Sequence, residues 1–176
     1  MERLVETKTG IQQSGLATQT YTKKWIYNSL GQLWKETDSN NRTTEYLYYD
    51  VGNIWKVIQP DGGVTEYVYD LADRLIQQTV AQTDMLEADT FYDYTSFGQL
   101  RTKTDALGNT QSYVYDRGGR TKQYIDARGN TVFYEYDGAG RLSKTKSPSH
   151  EENGVTVYSQ EEYTYDLAGN LSSYTK

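Results

Sequence analysis

The stretch Tyr134-Glu135-Tyr136-Asp137-Gly138-Ala139-Gly140-Arg141-Leu142 decides how this chain folds. Alternation along an extended strand puts Tyr134 and Tyr136 on one face. Asp-x-x-Gly then makes a turn: the Asp caps it, and the Gly accepts the positive φ that its last position demands. A type I turn closed by a Gly bulge sets the Tyr opposite the Leu two positions past the Gly, so Tyr136 is expected to face Leu142.

The same phrase recurs along the chain. Aromatic-x-Tyr triplets end at Tyr27, Tyr48, Tyr69, Tyr94, Tyr115, Tyr136 and Tyr165, with steps of 21, 21, 25, 21, 21 and 29 residues. Four residues after each Tyr stands Gly31, Gly52, Gly98, Gly119, Gly140 or Gly169, with Asp73 in the third copy. Six residues after stands Leu or Ile, with Thr121 the exception. By the same turn rule Tyr48 is expected to pair with Ile54 and Tyr69 with Leu75. A second turn signal follows, as in Asp38-Ser39-Asn40-Asn41, Pro60-Asp61-Gly62-Gly63, Asp105-Ala106-Leu107-Gly108 and Asp126-Ala127-Arg128-Gly129.

Two turns in 21 residues leave two strands of about six residues each, the common strand length. The chain therefore reads as all-β, an antiparallel meander of about fourteen strands with essentially no helix. A sheet that long curls, so a curled or spiralling strip is expected. The repeat array covers residues 25–176, and residues 1–24 are a lead-in holding at most a decayed repeat, since Gly10 stands 21 before Gly31. The longer steps place insertions near 79–89 and 147–161, both read as loops. Because 21 is odd and side chains alternate with period two, parity must break once per repeat. Either the two turns differ in kind or a bulge interrupts a strand.

Composition narrows the chemistry. Net charge is −6 and the pI about 4.8, which argues against nucleic acid or an anionic membrane as main partner. Mean hydropathy is −0.83, yet 18 Tyr supply apolar rings that such a scale undercounts. No apolar run approaches the ~20 residues of a helical membrane span, so no membrane insertion is expected. No signal peptide is visible at the start of the chain. With no Cys, disulfides and thiolate chemistry are excluded. The single His, His150, lies among turn formers and charges and reads as an exposed loop residue. No catalytic, cofactor or metal residues are assigned. Asp38-x-Asn40 begins like a calcium loop but lacks the distal Glu, and turn capping accounts for these Asp residues.

Tyr-x-Tyr-Asp-x-x-Gly-Arg-Leu, followed by Asp-x-x-Gly-x-x-Thr, resembles the tyrosine-aspartate (YD) repeats of the RHS family. That family includes bacterial polymorphic toxins, wall-associated proteins, insecticidal toxin-complex components and teneurins. The resemblance implies a β-strip wound into a hollow shell, often around a toxic C-terminal domain, and a secreted or cell-surface setting within a larger bacterial protein. Seven repeats are fewer than a closed shell takes. The family's Asp-Pro-x-Gly-like autoproteolysis motif is also absent, since Pro60 and Pro148 stand elsewhere. The expectation is therefore a section of an array, with neither a closed container nor self-cleavage credited to it.

The leading functional expectation is a structural segment that encloses or presents another polypeptide and is not an enzyme. The alternative is an adhesion or carbohydrate-binding module built on exposed aromatics. For that reading Trp34 and Trp55 form the candidate contact surface. Both stand seven residues after their Tyr, on the face opposite the Leu and close enough to stack. The expected partners are further repeats or an enclosed polypeptide, a glycan under the alternative, and a second copy in a dimer or small oligomer joined at the sheet edges.

Overall fold

The computed structural model describes residues 3–11, 19–81 and 87–176. Among them fifteen strands and no helix are present, and hydrogen-bonded neighbours follow chain order throughout. The expected antiparallel meander is what forms. The chain divides into two compact units, residues 1–90 and 91–176. The first contains β1 (Arg3–Ile11), β2 (Gln19–Tyr27), β3 (Leu33–Thr37), β4 (Thr43–Tyr48), β5 (Ile54–Ile58), β6 (Val64–Tyr69) and β7 (Leu75–Ala81). β8 (Ala88–Tyr94) spans the division. The second unit continues with β9 (Leu100–Thr104), β10 (Thr110–Tyr115), β11 (Thr121–Ile125), β12 (Thr131–Tyr136), β13 (Leu142–Glu152), β14 (Val155–Tyr165) and β15 (Leu171–Thr175).

The parity problem has a definite solution. Both turns of a repeat are of one kind: the first residue's N–H donates to the fifth carbonyl, and the fourth residue's N–H returns to the first carbonyl. Asp116 to Arg120 and Asp126 to Asn130 show the same pair of bonds. The fourth residue has positive φ, as at Gly52 (103°), Gly98 (83°), Gly119 (81°) and Gly140 (84°). Parity is broken instead by a bulge just after each Tyr-side turn. Tyr48 faces Ile54 but Leu47 faces Lys56, which leaves Trp55 as the extra residue. Tyr69 faces Leu75 and Tyr136 faces Leu142, with Ile76 and Ser143 left over in the same way. The bulged residue is always the seventh after the Tyr.

Three sequence expectations change. The insertion at 147–161 is not a loop. β13 and β14 zip together along its whole length and close on Asn153-Gly154, both at positive φ, a two-residue turn. Eight added residues can lengthen two paired strands evenly, which satisfies their backbone groups in the ladder where a loop would leave them to solvent. His150 is accordingly an exposed strand residue opposite Val157, beside a bulge at Ser149 that follows Pro148, the kind of place where a strand tolerates proline. The insertion near 79–89 is also partly strand: Thr79, Val80 and Ala81 extend β7 opposite Glu66, Thr65 and Val64. Residues 82–86 of that expected loop lie outside the described residues. Finally, the lead-in contributes β1, paired with β2 from Arg3–Tyr27 to Ile11–Gln19. Gly10 sits inside that strand, opposite Thr20, and not in a turn.

Each unit is built around a sheet without a core. Among the described residues only Val57, at 8% exposure, and Gly63 are buried, and no large side chain is fully enclosed. The strands are mostly half-buried on both faces. Stability therefore rests on cross-strand pairs, each worth about 0.2–1 kcal/mol, and on the chemistry of the turns and bulges.

Candidate functional site

The turn is closed by two side chains, an Asp and an Arg. Asp137 Oδ1 accepts the Ala139 and Arg141 N–H groups, both at 2.9 Å. Its Oδ2 is held by Arg141 Nε and Nη2, both at 2.7 Å. Asp70 with Arg74 and Asp116 with Arg120 repeat this fork. The Arg side chains beside Asp70 and Asp116 hold those carboxyls below the usual aspartate range; at Asp137 the Arg141 backbone N–H is the leading cause. Asp38 is spent in the same way on Asn40 and Arg42, which explains its calcium-like spacing without an ion. Among the described residues no group of three or more acidic or His side chains is placed to hold a metal.

The residue after the turn Gly also reaches the next repeat. Gln99 Nε2 donates to the Gly119 carbonyl at 2.7 Å, and Arg141 Nη1 to the Asp166 carbonyl at 3.4 Å. Arg120 lies over the Tyr136 ring at 4.6 Å, and Arg141 over Tyr165 at 4.5 Å. A Cβ on Gly119 or Gly140 would come within 3.2 Å of Gln99 or Arg120 respectively, so these glycines serve the strap as well as the turn.

The bulge explains the tyrosine. Tyr48 OH donates to the Leu33 carbonyl at 2.7 Å, and Tyr115 OH to that of Leu100 at 2.7 Å. Tyr136 OH donates to the Thr121 carbonyl at 2.9 Å, and Tyr165 OH to that of Leu142 at 2.8 Å. Each acceptor is the carbonyl that leads into a bulged residue, where the ladder is interrupted. The ring thus covers its neighbour while the hydroxyl serves the carbonyl beside the gap. Burial pushes the Tyr48 and Tyr115 hydroxyls above their usual range.

Trp34 and Trp55 both occupy the bulge column. Their side chains lie with the Lys35–Glu45 and Lys56–Glu66 pairs. Trp34 Nε1 donates to Glu45 at 2.8 Å, with Lys35 over its ring at 4.3 Å. Trp55 packs on Tyr49 at 6.4 Å, with Lys56 over it at 4.8 Å. Each indole is seated by its own hairpin and not by the other indole. Grooves open between successive Tyr-side turns. One of about 440 Å³ is lined by Trp34, Tyr49, Asn28, Gln32 and Asp50 among others. Another of about 420 Å³ lies between the turns at 49–53 and 70–74.

The family model of the teneurin YD-shell matches residues 4–149. The chain belongs to the teneurin YD-shell family. No curated protein matches it significantly in sequence. Solved structures show the same YD-shell fold at low identity. The crystal structure of TcdB2–TccC3–Cdc42 matches at 13% identity with a TM-score of 0.73. TcdB2–TccC3 without its hypervariable C-terminal region matches at 13% and 0.71. A Photorhabdus luminescens Tc holotoxin pore matches at 13% and 0.66. In all three the match covers 97% of this chain and 12% of the other, so this YD-shell sheet spans a small part of the length of those chains. Fold and family give it the structural role of a shell sheet.

Proposed function

We propose that this chain is a section of a YD-repeat wall that encloses or presents another polypeptide, and that it has no catalysis of its own. In this reading residues 25–176 are the array, residues 1–24 lead into it, and the parent is a secreted or surface protein. One observation carries it: the recurring polar side chains are spent on the sheet itself. The Asp and Arg close turns, the amides and arginines strap one repeat to the next, and the Tyr hydroxyls serve the carbonyls at the bulges. Such a sheet is a stiff layer one strand thick with two accessible faces, which suits a wall. Electron microscopy of the intact parent protein, with protease digestion, tests this. The reading expects a hollow envelope and an internal segment resistant until the wall is opened. An extended particle with every segment equally cleavable contradicts it.

A second reading, glycan binding, is favoured by the groove beside Trp34, where an indole meets amide and carboxylate groups. It expects binding to immobilised glycans that is lost in Trp34→Ala or Trp55→Ala. The isolated chain is further expected to dimerise through its sheet edges at β1 and β15, each with one neighbour. A strict monomer by sedimentation at high micromolar concentration contradicts that.

A further inference from the structure

Two of the repeat's own rules are broken, and both breaks line one groove. The first residue of the Tyr-side turn is elsewhere a cap: Asn28, Asp70, Thr95, Asp116, Asp137 and Asp166 each accept turn N–H groups. In the second copy it is Tyr49, which has no side-chain oxygen in that position. Its ring instead stands edge-on to Tyr69 at 6.3 Å, and its hydroxyl donates to the Tyr67 carbonyl at 3.1 Å. In the next turn the expected glycine is Asp73, held at φ 58°, the one Tyr-side turn without Gly at that position, although Asp tolerates this φ better than most side chains. Asn53 Nδ2 fixes its carboxylate at 3.0 Å. Local rules given up at neighbouring positions point to function, because folding alone would have kept them.

The groove between these turns has a defined chemistry. Tyr49 and Tyr69 line it, with Val51 and Leu71, 77% and 108% exposed. Asp50 and Asp73 line it too, and among the described residues neither is paired with a Lys or Arg. The neighbouring Asp70 differs, with Arg74 Nη2 at 2.6 Å. Apolar walls, aromatic rings and two uncompensated carboxylates complement a cation attached to an apolar group. The net charge of −6 draws basic segments toward the protein.

We propose that this groove binds a polypeptide segment carrying an arginine or lysine beside an apolar side chain, with the apolar group between Val51 and Leu71 and the cation at Asp50 and Asp73. The proposal rests on reading the sheet as a surface that serves a polypeptide, and it names where the grip lies.

Titrating the full chain with N-acetyl-leucyl-arginine amide, followed by NMR, tests it. Shifts are expected at the Val51 and Leu71 methyls and the Tyr49 and Tyr69 rings, with N-acetyl-leucyl-glutamate amide about tenfold weaker or more. The double variant Tyr49→Asp, Asp73→Gly restores both repeat rules. It is expected to melt higher and yet lose the binding, a combination that damage to the fold would not produce. Asp50→Asn, which leaves the turn's hydrogen bonds in place, is expected to weaken binding severalfold. Equal affinity for the two dipeptides, no shift at these four residues, or full affinity in the double variant overturns the proposal. So does an oligosaccharide that displaces the dipeptide, or a second copy filling the groove. Because the dipeptide needs only two hairpins, failure here leaves the enclosure reading standing, and failure of enclosure leaves this binding intact.

Discussion

The turn at 137–141 and the turn at 49–53 have the same backbone bonds and opposite investments. In the first, Asp137, Gly140 and Arg141 spend every polar atom on closing the turn and reaching the next repeat. In the second, Tyr49 gives up the cap, Asn53 replaces the arginine, and the tip exposes Val51. The backbone is kept by Gly52 at φ 103°. The fold therefore depends on a minimum set, namely the residue at positive φ, the bulge and the Tyr. Caps and straps can be traded for a surface.

Deleting Lys122 strikes that minimum set hardest. It removes the extra residue between Thr121 and Gln123, so every strand beyond it in its unit would present the wrong face. Loss of cooperative folding is expected, whereas Lys122→Ala, an exposed substitution, should change stability by less than about 0.5 kcal/mol. Circular dichroism melts of both variants check this; a deletion as benign as the substitution would remove the bulge from the account.

Gly140→Val comes next. It forces a β-branched residue to φ 84° and meets Arg120 at 3.2 Å. A loss of about 1–3 kcal/mol is expected by denaturant titration. Asp73→Gly, at the equivalent position, should instead be neutral or stabilising.

Tyr115→Phe keeps the ring and removes the hydroxyl from the Leu100 carbonyl. About 1 kcal/mol is expected, or a melting temperature lower by about 2–4 °C in a chain of this size. An unchanged melt would mean that the ring alone matters.

The smallest effect is pH dependence. Asp70, Asp116 and Asp137 have lowered folded values. Their stabilisation is whole above the unfolded aspartate value, about 3.9, and is lost as pH falls through the folded ones. Tyr113, Tyr115 and Tyr134 have raised values from burial. Their contribution is whole below about pH 10 and is lost as pH rises through the folded values. Thermal melts should form a plateau falling on both sides. The acid arm should shrink when Asp116, Asp137 and Asp70 are replaced by Asn.

Much of this was legible in the residues. Tyr at seven positions, with Gly four later in six of them, predicts strand, turn and register, and Tyr48–Ile54, Tyr69–Leu75 and Tyr136–Leu142 all form. The need for a parity break could be read from the period. Its location could not, because the bulge column holds Trp, Ile, Arg, Lys and Ser, and a bulge asks little of its side chain. A signal for the hydroxyl's role was present, since no repeat ends its triplet in Phe. The straps were hidden because their partners lie about 20 residues away in the next repeat. The 147–161 hairpin was hidden because Asn153-Gly154 stands among other turn formers and charges, although Val155-Thr156-Val157 alternates just after it.

The most direct test of the account is the register beside one bulge, read from cross-strand Hα and amide contacts by NMR across β12 and β13. The account predicts Tyr136 opposite Leu142 and Glu135 opposite Lys144, with Ser143 unpaired between them. A continuous register that places Glu135 opposite Ser143 would contradict it.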